Sequence, residues 1–134
     1  MGFKIRATSA ALGLAMSTGL LAAAAGTAQA QVGASQIQEG DSGFGVYCVQ
    51  VATNWWLDAP TQIDEDGSFG PATKAQVVWF QEQNHLAQDG VVGPDTGSIL
   101  WVAIQQDIQA HNSNWNTPWG VPIGNCYQVL PTHT

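Results

Sequence analysis

Asp66-Gly67-Ser68-Phe69-Gly70-Pro71-Ala72-Thr73 and Asp89-Gly90-Val91-Val92-Gly93-Pro94-Asp95-Thr96 are two copies of one stretch, set 23 residues apart and identical at five positions. A repeated stretch implies a repeated structural unit. In each copy the Asp-Gly pair predicts a tight turn, because Gly accepts backbone angles that other residues avoid. Gly-Pro then predicts a helix start, since proline at the first helical position loses no hydrogen bond. The copies extend backwards at helical spacing: Val46-x-x-Val49-Gln50 precedes the first, and Val77-x-x-Phe80-Gln81 the second. Each unit is helix, Asp-Gly loop, next helix. Two units sharing their middle helix predict an all-α domain of three helices around one small core.

The first helix is expected to start near Ser42, with Asp41 or Ser42 as its cap, and to stop at Asp58-Ala59-Pro60. Val46, Val49, Thr53 and Trp56 give it an apolar period. The second opens at Gly70-Pro71, sets Thr73, Val77, Phe80 and Asn84 on one face, and ends at His85, where glycine would be the comfortable residue. The third runs from Pro94 to about Ala110. Ile99, Leu100, Trp101, Val102, Ala103 and Ile104 make it apolar all round, so it needs cover on more than one side. The tail, 111–134, carries Trp115, Trp119, Val121, Ile123 and Tyr127 and is expected to supply that cover. The expected organisation is a signal peptide over 1–30, a flexible leader over 31–38, the helical domain over 39–110, and a tail packed on it over 111–134.

Residues 1–30 read as a secretory signal peptide. Lys4 and Arg6 precede an apolar stretch from Ala10 to Ala25, and Ala28-Gln29-Ala30 offers the small residues a signal peptidase needs. The apolar stretch is too short and too rich in small residues for a membrane span, so no membrane association is expected after cleavage. The whole chain, 134 residues, carries three Lys or Arg against ten Asp or Glu, a charge of −7. Cleavage removes Lys4 and Arg6 but no acid, which leaves Lys74 alone against ten acids and a charge of −9. Nucleic acid is excluded as a partner, because its binders need stripes of Lys and Arg. Six tryptophans and 45 % apolar residues exclude a disordered chain. Export also bears on Cys48 and Cys126. An even pair in an oxidising compartment is expected to be bonded, tethering the tail to the first helix. The alternative is a nucleophilic thiol partnered by His85, His111 or His133.

Taken together, the blocks resemble the peptidoglycan-binding domain family found beside catalytic domains in bacterial cell-wall hydrolases. Gly40, Gly43, Val46, Val49 and Gln50 match its first block, and Asp66, Gly67, Phe69, Gly70 and Thr73 its second. Val77, Phe80, Gln81 and Leu86 match the third, and Asp89, Gly90, Val92, Gly93, Thr96 and Leu100 the fourth. The resemblance runs from Glu39 to Leu100 and implies a three-helix fold that binds wall peptidoglycan. Four positions depart from the pattern. Gln76 stands for a small Ala, Thr53 for a core Leu, His85 for Gly, and Gly97 for Trp, with Trp101 one turn onward expected to fill the space.

Asp66 and Asp89 could pass for a catalytic carboxylate pair, but their equivalence in the repeat assigns them to their own loops, accepting backbone N–H groups at the turns that Gly67 and Gly90 permit. Gln50 and Gln81 are expected to satisfy the same loops, and Gly70 and Gly93 to launch the helices. Asp64-Glu65-Asp66-Gly67 imitates part of a calcium loop, yet Gln62 and Thr73 fall where its first and twelfth ligands belong, so no metal is expected. No zinc-ligand spacing or nucleophile elbow is present, and neither an enzyme nor a cofactor is expected. The ligand candidates are Trp55, Trp79, Asp66, Phe69 and Asp89. Trp79 lies about 200° round its helix from the core residue Val77. An exposed indole face suits the C–H face of a sugar.

The sequence thus predicts a secreted, wall-associated, monomeric and non-catalytic module that binds peptidoglycan through glycan or stem peptide. Two other readings are a module that partners or inhibits an extracellular protein, with the tail as its working surface, and a small wall-degrading enzyme. A fused hydrolase is not expected, since few residues remain outside the domain and tail.

Overall fold

Phe44–Trp55, Pro71–Gln83 and Pro94–His111 form α1, α2 and α3, and Ile123–Gln128 forms a 3-10 helix in the tail. The computed structural model describes residues 34–56 and 59–133. The expected signal peptide, the first residues of the leader and Asp58 of the expected helix stop lie outside the described residues. The fold is all-helical, with isolated β-bridges in place of strands among those residues. No helix among them is long and apolar enough to cross a membrane.

Gly70 and Gly93, both extended, launch α2 and α3 at Pro71 and Pro94 as the repeat predicts. At the other end of α2, His85 takes the left-handed conformation (φ 56°). The Leu86 N–H donates to the Gln81 carbonyl at 2.8 Å and that of His85 to Glu82 at 3.1 Å, which satisfies carbonyls the helix leaves open. His85 does the work of the missing glycine, at some cost in backbone strain.

The start of α1 corrects an expectation. Its N-cap is Gly43, with no side-chain cap. Asp41 instead accepts the Gln38 N–H at 2.9 Å, and its carbonyl accepts the Phe69 N–H at 2.9 Å. The Gly43 N–H donates to the Gly67 carbonyl at 2.8 Å. Backbone bonds between the helix start and the first Asp-Gly loop therefore replace a local cap. The leader needs a second correction. Ile37 is only 7 % exposed and exchanges two backbone bonds with Val92, at 3.1 and 2.8 Å. It belongs to the fold, because it fills core space and pairs the peptide groups of the second loop.

The surrounded helix is α1 rather than α3. Every residue from Val46 to Asn54 is buried, and α1 packs against α2, α3 and the 3-10 helix. On α3, Leu100, Ala103 and Ile104 are buried, but Val102 is 44 % exposed. Two of the family departures meet in the core. The buried Thr53 hydroxyl bonds back to the Val49 carbonyl at 3.0 Å, and the buried Gln76 amide reaches the Thr53 carbonyl at 3.5 Å and that of Thr61 at 3.1 Å. A smaller residue on α1 makes room for a larger one on α2, and its amide is hydrogen-bonded as a buried polar group must be.

The tail is part of the core. Cys48 and Cys126 form a disulfide with Cα atoms 5.7 Å apart, joining α1 to the 3-10 helix. Ile123, Cys126 and Leu130 are fully buried. Gly97 lies directly under the tail: a Cβ there would collide with the Pro131 carbonyl oxygen and lie 2.9 Å from its carbon. The tail backbone occupies the room of the missing Trp, which corrects the expectation for Trp101. That ring packs on Tyr127, with centroids 5.4 Å apart. Beyond it, His133 sits 2.6 Å from Asp95 through its ring, and its N–H donates to the Ser98 hydroxyl at 3.1 Å.

Candidate functional site

Two buried glutamines hold the two Asp-Gly loops by the same set of hydrogen bonds. From α1, Gln50 Nε2 donates to Asp66 Oδ1 (3.0 Å), the Ser68 carbonyl (3.1 Å) and Thr73 Oγ1 (3.1 Å), while its Oε1 accepts the Gly67 N–H (2.8 Å). From α2, Gln81 Nε2 donates to Asp89 Oδ1 (2.9 Å), the Val91 carbonyl (2.9 Å) and Thr96 Oγ1 (3.1 Å), while its Oε1 accepts the Gly90 N–H (2.9 Å). Each Asp Oδ1 also accepts the N–H two residues on, from Ser68 and from Val91, both at 2.9 Å. Both glutamines are buried, so four polar bonds each offset the loss of water. The positive φ at Gly67 (75°) and Gly90 (72°) closes the turns.

This equivalence makes a prediction. Thr73→Val and Thr96→Val each remove one hydroxyl acceptor from a buried amide with little change of shape. Each is expected to lower stability by about 1 kcal/mol, and the two losses should agree within a few tenths. Denaturant titration measures both; a loss at one site only would contradict the equivalence.

The Ser68 N–H, and then the Gln50 amide, hold the Asp66 carboxyl below the usual carboxylate range. A depressed folded pKa means that the contribution is present above the unfolded value, about 3.9, and is lost as pH falls through the folded value. Asp66→Asn should therefore flatten the acid limb of the stability profile below about pH 4, which urea titrations from pH 2 to 7 would show. An unchanged acid limb would sink the assignment. Burial, and then the Glu65 carboxylate, raise the Tyr47 phenol.

The candidate ligand residues fall apart in space. Asp66 and Asp89 are exposed, each beside a shallow hollow, of about 210 Å³ at the first loop and about 170 Å³ at the second. Phe69 is 3 % exposed, and its ring fills the core, so it cannot offer a face to a ligand; that expectation is corrected. Trp79 is half-buried against the core. Trp55 is half-buried too, with the tail's Trp115 packed edge-on at 4.8 Å.

Two features escaped the sequence reading. Trp56 packs edge-on against Phe80 at 5.1 Å, and together with Trp55 it borders a groove of about 240 Å³ whose other wall is α3. Trp119, 46 % exposed, lies over the first Asp-Gly loop, with its ring 2.6 Å from where a Gly67 Cβ would be. Thr117 holds it there, accepting the Trp119 N–H at 3.2 Å and donating to the Val121 carbonyl at 2.9 Å. Its position depends on the fold of the tail, which no local pattern announces. Among the described residues no group of three or more His, Cys, Asp or Glu is placed to hold a metal ion.

Comparison with known proteins fits this arrangement. The model of a family described as "Putative peptidoglycan binding domain" matches residues 56–100, which contain both Asp-Gly loops, all of α2 and the start of α3. The zinc D-Ala-D-Ala carboxypeptidase of Streptomyces albus G is 38 % identical over 76 residues, which make up 57 % of this chain and 30 % of that protein. The chain thus covers less than a third of that relative's length.

Proposed function

We propose that the protein acts as a secreted, non-catalytic module on the bacterial cell wall, a reading supported by the match of residues 56–100 to the family described as a putative peptidoglycan binding domain. The observation that carries the reading is the pair of equivalent Asp-Gly loops inside the matched segment, each held by a buried glutamine of the preceding helix. The acids most like a catalytic pair, Asp66 and Asp89, are both engaged by loop N–H groups and a buried glutamine. They serve as turn-holding groups. The binding surface is built from loop edges and indole faces, with Trp55 its principal sequence-predicted member. The disulfide and the signal peptide expected over residues 1–30 fit an extracellular, wall-associated protein.

The test is to mix the mature protein with purified sacculi, spin, and assay both fractions. The protein should pellet with the wall, and the supernatant should hold no released muropeptides or reducing ends. Protein left wholly in the supernatant would overturn the binding role, and release of fragments by the pure protein would overturn the non-catalytic one.

A further inference from the structure

The groove between the end of α1 and the second half of α3 combines two indoles with an alanine-bearing helix face. One side is Trp55 and Trp56. Each indole is braced edge-on by a second ring, Trp115 behind the first and Phe80 behind the second, so both are held in place yet remain half-exposed. The other side is one face of α3, where Ala103, Gln106, Asp107 and Ala110 follow at intervals of three, one and three residues. The alanines leave the floor open. Gln106 is exposed and offers both an amide donor and an acceptor. Asp107 is half-buried, and its Oδ1 lies 3.0 Å from His111 Nδ1.

We propose that this groove is a subsite for one neutral pyranose ring of the wall glycan, so that the protein recognises the sugar strand in preference to the stem peptide. The inference rests on the wall-binding reading above. Apolar ring faces with a few polar groups at the edge suit a sugar, whose C–H face packs on an indole while its hydroxyls take hydrogen bonds. Gln106 and Asp107 supply the acceptors and a donor on the rim. Size limits the occupant, because about 240 Å³ falls below the roughly 300–1,000 Å³ of sites for drug-sized ligands. A single ring fills it, and the rest of the strand runs along the surface. Charge points the same way: without its signal peptide the chain would stand at −9 with Lys74 as its lone Lys or Arg, and Lys74 pairs with Glu39 at 3.0 Å and does not line the groove. An uncharged sugar meets no repulsion there, whereas a peptide bearing carboxylates does.

The probe is chitotetraose, a soluble β-1,4-linked N-acetylglucosamine oligomer, titrated into the intact oxidised protein while the indole N–H signals are followed by NMR. Ala110→Phe fills the mouth of the groove from an exposed helical position, and Gln106→Ala removes a rim group; neither touches the core. The indole signals of Trp55 and Trp56 should shift in the wild type. Affinity should fall at least tenfold in Ala110→Phe and several-fold in Gln106→Ala, with unfolding midpoints unchanged. If the protein pellets with sacculi but chitotetraose leaves both indoles unmoved, or Ala110→Phe binds it as the wild type does, the groove assignment is overturned and wall binding stands. If chitotetraose binds in the groove but sacculi do not retain the protein, the sugar site stands and the wall-binding role falls.

Discussion

Replacing Cys48 and Cys126 together by alanine is expected to lower stability by about 4–5 kcal/mol, the chain-entropy value for a loop of this length. The two residues are 78 apart in sequence, and both are fully buried, so alanine leaves no stranded hydroxyl behind. For a domain of about 100 residues, where 1 kcal/mol moves the midpoint by about 4–8 °C, that is a fall of roughly 20–35 °C. The bond joins the most buried helix, α1, to the segment that places Ile123 and Leu130 in the core. Without it, closing the tail falls to those apolar contacts, the ring contacts of Trp115 and Tyr127, and the His133 bonds to Asp95 and Ser98. Thermal unfolding of the oxidised protein, the reduced protein and the double variant measures the effect. A midpoint within a few degrees of the oxidised wild type would show that the tail docks without its tether.

Gly97→Ala is expected to cost about 2–3 kcal/mol, roughly 10–20 °C in midpoint, through overpacking. The added methyl group would meet backbone, the Pro131 carbonyl, and backbone cannot swing aside as the end of a long side chain can. Relief requires the tail to lift from α3. That would also strip the His133 contacts to Asp95 and Ser98 and the Tyr127 packing from Trp101. Gly70→Ala is the matched control. Its Cβ would meet nothing within 4 Å, and as a helix N-cap it should lose only about 1 kcal/mol or less. Equal losses at the two glycines would refute the close approach of the tail to Gly97.

What the sequence revealed follows from the range of the interactions. The helix launches at Pro71 and Pro94, the turns at Gly67 and Gly90, and the left-handed end at His85 are dictated within a few residues, so the repeat shows them. Even the partners Gln50 and Gln81 can be read, because each closes the same apolar-x-x-apolar-Gln block on the helix before its loop, although the spacing to the loop differs, 16 residues in one copy and 8 in the other. The misses are contacts between distant segments that leave no period. Ile37 beside Val92, Pro131 over Gly97 and Trp119 over Gly67 each depend on where the chain returns. Gly97 is instructive, since its oddity is visible in the sequence but its compensation is supplied by backbone, which has no residue code. Of the candidate site, Trp55 was legible as an aromatic beside the end of a helix. Its groove was not, because α3 forms the opposite wall some fifty residues away.

The central claim is that this fold holds the bacterial wall by hydrogen bonding and aromatic contact rather than by charge. It is tested most directly by the binding isotherm of the folded, oxidised protein on sacculi stripped of anionic polymers, taken at about 50 and 500 mM salt. Screening shortens sharply over that range, so an attraction between opposite charges would weaken many-fold. The account predicts saturable binding that is retained, or strengthened, at the higher salt. Failure to bind at either salt, or binding that vanishes at the higher one, would contradict it.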